Sequence, residues 1–322
     1  MKAAVYYETG PPSVFRYEEV PDPVCHLDGV LVDVKAVSIE GGDVLNRARG
    51  ELASKPHIVG YQCAGTVREV GANVTECATG QPVVALMGNG SHASMVSIPA
   101  SSTWLVPEGL DLEAAACVPI PFGTADDCLF EFGGLKAGET VLVQAGGGGV
   151  GLAAIQLAKR AGATVLATAS SDEKLTRLME FGLDHGINYR TKDFVAATRE
   201  LTGGRGADLV VDSVGGRTLQ GSLECLAYRG RAISVGDAGR DDQLPDIGLL
   251  APGNRSLTGV SLAVEAALQP DRVRAMVAGH LQDVAGGSLS VVIDRKYALS
   301  EAAAAHAYIE SRQAFGRVLL IP

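Results

Sequence analysis

No two of the six cysteines form a C-x-x-C pair; they fall at 25, 63, 77, 117, 128 and 225. That scatter excludes a zinc-finger ligand set, and a chain of 322 residues is too long for a scaffold held by disulfides. Buried, reduced thiols are the expectation. Positive charge is in deficit: 27 Lys and Arg stand against 37 Asp and Glu, a net charge of −10. Such a surface argues against nucleic acid as a partner, because phosphate backbones are held by basic patches. No apolar run is long enough to span a bilayer, and no charged-then-apolar leader opens the chain. A cytoplasmic protein with no membrane partner is expected. Internal repeats and low-complexity linkers are also missing.

What is present is core-forming material. Hydrophobic residues make up 47% of the chain and charged residues 20%, so disorder is excluded and the length suits about two domains. Up to about residue 120 the pattern is short strands broken by Gly and Pro. Met1–Tyr7, Gly29–Val37, Cys63–Gly71 and Pro82–Leu86 alternate or run apolar. Short strands with frequent breakers predict a small barrel or sandwich. Beyond Leu112 strands alternate with helices: Val141–Gln144, Thr164–Thr168, Asp208–Asp212 and Arg231–Val235 are the strands. Alternation of this kind predicts βαβ units and a parallel sheet. After Gly259 the pattern is helical, until Gly316–Ile321 closes as a strand that could return to the first block.

The stretch Val141 to Gly151 carries the strongest chemical signal. An apolar strand runs into Gly146-Gly147-Gly148-Gly149-Val150-Gly151, and Leu152–Arg160 follows as a helix. Gly146, Gly148 and Gly151 satisfy G-x-G-x-x-G in the strand–turn–helix setting that a dinucleotide pyrophosphate requires. The amides of Gly149 and Val150 open the helix, where its dipole attracts an anion. The loops after Val143, Thr168, Asp212 and Val235, the last at Gly236, are expected to line the cofactor site. NAD-binding sheets end the second strand on an acidic residue; here Ala169-Ser170-Ser171 stands instead. Without that carboxylate a 2′-phosphate is tolerated, and Lys174 lies one helical turn beyond Ser170. NADPH is therefore expected over NADH. Ser170-Ser171-Asp172-Glu173 also reads as a capping box, with Ser170 starting a helix and Lys174 on its solvated face.

Several segments together resemble the zinc-independent quinone oxidoreductases, of the zeta-crystallin type, in the medium-chain dehydrogenase/reductase superfamily. The carriers are Ala36–Asp43, Gly60–Gly65, Pro121–Ala125, Gly186–Tyr189, Gly204–Gly216, Glu310–Arg312 and Gly316–Val318. The resemblance implies an α/β chain: a Rossmann dinucleotide-binding domain over 122–263, and a GroES-like, mostly β catalytic domain split between 1–121 and 264–322. It implies that Thr124 lies by the nicotinamide, that Tyr189 and Arg312 reach the 2′-phosphate, and that the chain is a homodimer.

The departures bear on chemistry. Zinc-dependent relatives carry Cys where Glu40 stands and a His-Glu pair where Tyr61-Gln62 stands; no Cys-rich lobe follows Pro82. No metal is expected. Leu45 occupies the place of a Tyr in typical quinone reductases, and many of those have Asn in place of Glu40. Tyr61 is a candidate hydrogen-bond donor to a developing oxyanion, or else packs between strands. Glu40 is a candidate proton relay or substrate contact, or else structural. Asp43 is expected to hold a backbone group or Arg47. Leu45 and His92 are candidates for the substrate pocket, with a structural role the alternative for His92. The implied reaction is hydride transfer from NADPH to a quinone or an α,β-unsaturated carbonyl, the small-molecule substrate. A specialised enoyl or biosynthetic reductase, or an NADPH-binding protein with little turnover, are the alternatives.

Overall fold

A computed structural model describes residues 1–322, which form two compact units. One comprises Met1–Ile120 and Ala266–Pro322, the other Pro121–Glu265. Seven strands open the chain: β1 (Lys2–Val5), β2 (Arg16–Glu19), β3 (Gly29–Ser38), β4 (Gln62–Val70), β5 (Pro82–Leu86), β6 (Met95–Pro99) and β7 (Thr103–Leu105). Six more alternate with helices: β8 (Thr140–Val143), β9 (Thr164–Ala169), β10 (His185–Asn188), β11 (Ala207–Asp212), β12 (Leu226–Ser234) and β13 (Ser256–Gly259). β14 (Ile293–Ala298) and β15 (Arg317–Ile321) close it.

In the first unit β14-β15-β3-β4-β5-β7 form the path of one sheet, with β6 also paired to β3. The terminal strand does return to the first block: Leu319 pairs with Ser38 and Leu320 with Val37, antiparallel. Burial along nearly the whole of β3 explains why it can be central. Val30, Val32, Val34 and Val37 enter the same buried cluster as Cys63, Val67, Val83, Val318 and Leu320. Burying such side chains contributes about 1.5–3 kcal/mol each, which sets this cluster as the main support of the unit.

The second unit is a six-stranded sheet in the order β10-β9-β8-β11-β12-β13, all its pairs parallel. Strands after β8 wind outward on one side and strands after β10 on the other. The order therefore reverses between β8 and β11. Ligands of open parallel sheets bind beyond the carboxyl ends of the strands at such a reversal. Val141, Leu142 and Val143 are fully buried, as expected for a strand covered on both faces. Four of the six thiols are buried and all six are free. No helix is long and apolar enough to cross a membrane.

Candidate active site

In the second unit the glycine turn joins β8 to the helix Gly149–Arg160. A Cβ on Gly151 would sit 2.5 Å from the Ala145 carbonyl oxygen and 2.7 Å from the Gly146 Cα. One on Gly146 would sit 2.9 Å from the Ala167 Cβ. Both glycines exist for close packing of helix and strand. Gly148 differs, because its Cβ would meet nothing nearer than the Ala145 oxygen at 3.4 Å. It is the N-cap residue of the helix, and no side chain caps the amides of the first turn. An uncapped helix start beside open space fits an anionic group such as a pyrophosphate.

The end of β9 gathers the residues proposed for the ribose. Ala169 is buried, and the Tyr189 amide donates to its carbonyl at 3.2 Å, so the segment after β10 lies against it. Tyr189 is 40% exposed, which leaves its ring available. The capping assignment shifts by one residue from the sequence expectation. Ser171, not Ser170, is the N-cap of the helix Asp172–Met179, its hydroxyl accepting from the Lys174 amide at 3.3 Å. Ser170 lies at the bend between β9 and this helix, and its hydroxyl is not the cap. Lys174 is the third residue of the helix and half-buried. Gly236 follows β12, where a Cβ would press on the Ser213 carbonyl at 2.9 Å. Thr124 is buried on the helix Pro119–Asp126. Arg312 belongs to the first unit, on the turn after the helix Ala302–Glu310, with φ of 60°.

The first unit places Glu40, Asn46 and Tyr61 around the helix Gly41–Arg49. Glu40 is its N-cap. The Glu40 carboxylate accepts from the Arg317 guanidinium and from the Gln62 side-chain amide. Arg317 further donates to the Ser38 hydroxyl at 3.0 and 2.8 Å and to the Ile39 carbonyl at 2.6 Å. Gln62 is fixed from its other end, where its carbonyl accepts from the Ile120 amide at 2.9 Å. Burial pushes the Glu40 carboxyl up to about 7, against the pull of Arg317 and Gln62. Glu40 is thus a buried, paired group, as in its structural reading. Asp43 holds the Glu40 amide at 2.8 Å. Its expected backbone partner is present; Arg47 instead pairs with Glu310 and the Gly10 carbonyl. Burial holds the Asp43 carboxyl well above the usual range, and the nearby Glu40 adds to this.

Tyr61 lies beside this pair but faces differently. Its ring packs where a Cβ on Gly42 would be, 2.5 Å from Cε2, so the glycine pair at 41–42 makes room for it. Its phenol oxygen accepts from the Asn46 amide at 2.8 Å. Burial, then the Asp43 carboxylate, raise the phenol from its ordinary value while the Asn46 bond lowers it, so the hydroxyl keeps its proton at neutral pH. Tyr61 and Leu45 are both half-buried, as is Asn46.

His92 does not fit a pocket mouth. It is fully buried, its Nε2 3.1 Å from Nε2 of His306, and its ring stacks on Phe15 at 6.2 Å. Burial drives both imidazoles down, His92 to about 3, so both are neutral packing groups. Three residues of this site carry no functional assignment from sequence. Arg317 enters there only through the family resemblance, though an Arg beside the apolar run Val318–Ile321 requires a buried acceptor. Gln62 enters only as a missing ligand, and Asn46 leaves no signal beyond its helical spacing from Gly42. No group of three or more His, Cys, Asp or Glu side chains is placed to hold a metal ion.

Comparison with known proteins agrees with this geometry. Residues 26–108 match the alcohol dehydrogenase GroES-like domain, and residues 149–294 match the zinc-binding dehydrogenase domain. The quinone oxidoreductase of Escherichia coli, complexed with NADPH, matches at a TM-score of 0.94 and 30% identity, covering 100% of both chains. A 2-haloacrylate reductase from Burkholderia sp is 33% identical over 99% of this chain and 98% of its own length. A highly-reducing polyketide synthase of Aureobasidium melanogenum is 34% identical over 96% of this chain, which spans only 14% of that protein. With a split β unit, a Rossmann unit and similarity along its whole length, the chain belongs to the medium-chain dehydrogenase/reductase superfamily and is an oxidoreductase with the fold of its quinone oxidoreductases.

Proposed function

We propose that this protein is an NADPH-dependent reductase of electron-poor acceptors, a quinone or an α,β-unsaturated carbonyl, working without zinc. The observation that carries the reading is the Asn46–Tyr61 hydrogen bond. Asn46 fills an acceptor position on the phenol oxygen, so the phenol's own hydrogen is left to donate. A preoriented donor of this kind stabilises negative charge growing on a substrate oxygen. When bound, NADPH supplies the hydride. Gly146 to Gly151 would hold its pyrophosphate, and Ser170, Lys174 and Tyr189 are suited to the ribose phosphate because no acid stands at Ala169. The substrate supplies its own electron sink through conjugation, and solvent supplies the final proton.

The zinc-free reading is supported by Glu40. Its carboxylate is engaged by a cation and an amide, and neither neighbour is a zinc ligand. The same engagement favours Glu40 as a positioning residue over a proton relay. Leu45, half-buried on the helix that carries Asn46, is the residue we assign to acceptor selection. Similarity to a quinone oxidoreductase supports a quinone as acceptor, and similarity to a 2-haloacrylate reductase supports a conjugated acid. A homodimer in the cytoplasm is the expected state. β13, hydrogen-bonded within the chain only to β12, leaves a sheet edge that a second copy can pair; sedimentation as a monomer would rule this out.

One assay tests the reading. The purified chain is offered 1,2- and 1,4-quinones, enones, conjugated acids and enoyl thioesters, with NADPH or NADH, before and after chelator treatment. Turnover of at least one acceptor with NADPH, unaffected by the chelator, is expected. Tyr61→Phe should lower kcat about 100-fold, the size of one lost oxyanion donor. Asn46→Leu should lower it about tenfold through a misdirected phenol. Tight NADPH binding with no oxidation by any acceptor would leave the protein a cofactor binder. Wild-type kcat in Tyr61→Phe would remove the phenol from the chemistry.

A further inference from the structure

Beneath the glycine turn four buried side chains form a one-way hydrogen-bond chain across the strand ends of the Rossmann unit. The Ala145 amide donates to the Thr168 hydroxyl at 3.1 Å, and that hydroxyl donates to the Gln144 carbonyl oxygen at 2.7 Å. The Gln144 amide donates to the Ser222 hydroxyl at 3.1 Å, and Ser222 donates to Asp212 Oδ2 at 2.7 Å. The other Asp212 oxygen, Oδ1, accepts from the Val214 and Gly215 amides at 2.8 and 2.9 Å. All four side chains are at most 2% exposed. Every proton points toward the carboxylate, so each bond polarises the next.

The two ends of this chain are unusual backbone. Ala145 has φ of 54°, a left-handed conformation that a residue with a Cβ adopts only when its surroundings impose it. Its carbonyl oxygen, turned by that conformation, accepts from the Gly148 amide at 3.0 Å and so closes the turn. At the far end Gly215 and Gly216 have φ of 75° and 55°, where the loop after β11 bends into the helix Gly216–Glu224. The chain therefore starts on the strained residue that shapes one loop and ends on the carboxylate that shapes the other.

We propose that Asp212, Ser222, Gln144 and Thr168 act as positioning residues that lock the phosphate-binding turn to the loop after β11, preorganising both for the dinucleotide. Ser222 lies on the helix Gly216–Glu224 and acts on the turn only through Gln144 and Thr168. The inference rests on the NADPH reading above but goes beyond it, because it assigns a cause to the turn's shape in the ligand-free protein.

The test uses Ser222→Ala, Thr168→Val and the conservative Thr168→Ser. Two quantities are measured: NADPH affinity by fluorescence titration, and amide exchange of the unliganded protein. Ser222→Ala and Thr168→Val should each weaken NADPH about tenfold, the equivalent of one neutral hydrogen bond. Exchange should accelerate at 145–151 and 214–215 but not in β10 or in the first unit. Thr168→Ser should behave as wild type, which a purely volumetric role would not predict. The double variant should be little worse than Thr168→Val alone, since both cut one chain. Wild-type affinity and exchange in Ser222→Ala overturn the proposal, as does acceleration spread over the whole unit. Should the wild type bind no NADPH, the exchange result still decides the chain and only the cofactor reading falls. If Ser222→Ala does not fold, the contrast between the two Thr168 variants decides: equal effects of valine and serine overturn the proposal, and a loss confined to valine supports it.

Discussion

Arg317→Met is expected to remove about 3–5 kcal/mol of folding stability at pH 8, the range for stripping one partner from a buried ion pair. The size follows from what is left behind. Arg317 and Glu40 have side-chain exposures of 9% and 6%, so water cannot replace the guanidinium. The Ser38 hydroxyl and the Ile39 carbonyl lose their donor at the same time. The effect should depend on pH in a definite direction. The Glu40 carboxyl is raised to about 7 in the folded protein, so it binds its proton more tightly there than in the unfolded chain. Its contribution is complete below its ordinary value near 4.5 and is lost as pH rises through about 7. In wild type Arg317 limits that loss. Without Arg317 the carboxyl rises further, so the deficit should be largest at pH 8 and shrink toward pH 5. Urea unfolding at both values measures this. Arg317→Met combined with Glu40→Gln should recover part of the stability, since no buried charge then remains. A single-variant loss under about 1 kcal/mol at pH 8 would mean the pair is peripheral to the fold.

The same pair shows why parts of the site are legible in the sequence and others are not. The glycine turn is readable because its strand, turn and helix are consecutive, and Gly146 and Gly151 answer contacts within a few residues or with the next strand. Ala169 is readable by counting from that turn. The return of β15 to β3 is suggested by an isolated apolar run at the end of the chain. The partner of Glu40, in contrast, lies 277 residues away, and no periodicity links an N-cap Glu to an Arg in a terminal strand. His92 and His306 are 214 residues apart, and a His beside Gly90 and Ser91 looks like a loop residue until its partner is known. β6, β7 and β13 are three to five residues long and lack a clear alternation, so only their ladders define them. The shift from Ser170 to Ser171 is a boundary difference of one residue, set by which serine hydroxyl meets the Lys174 amide. Local order is visible in the sequence; the pairing of distant polar groups requires the fold.

Gly148→Ala should separate ligand recognition from folding, with about a 100-fold loss of NADPH affinity and little change in stability. The folded chain has room for the methyl: φ at Gly148 is −82°, and the nearest atom to its Cβ would be 3.4 Å away. A stiffer unfolded chain stabilises by about 0.4–1 kcal/mol, and the poorer N-cap costs about as much. The new methyl, however, stands at the uncapped helix start. Loss of two charge-assisted hydrogen bonds there, about 1.5 kcal/mol each, accounts for the 100-fold figure. Gly151→Ala should behave differently. Its Cβ would lie 2.5 Å from one backbone oxygen and 2.8 Å from another, so the helix must move off the strand. A loss of about 1–3 kcal/mol in stability is expected along with weaker binding. Fluorescence titration with NADPH and urea unfolding of both variants distinguish the two roles. If Gly148→Ala binds NADPH as wild type does, the turn is a packing device and the phosphates are held elsewhere. If it unfolds like Gly151→Ala, the open space at Gly148 is not there to admit a ligand.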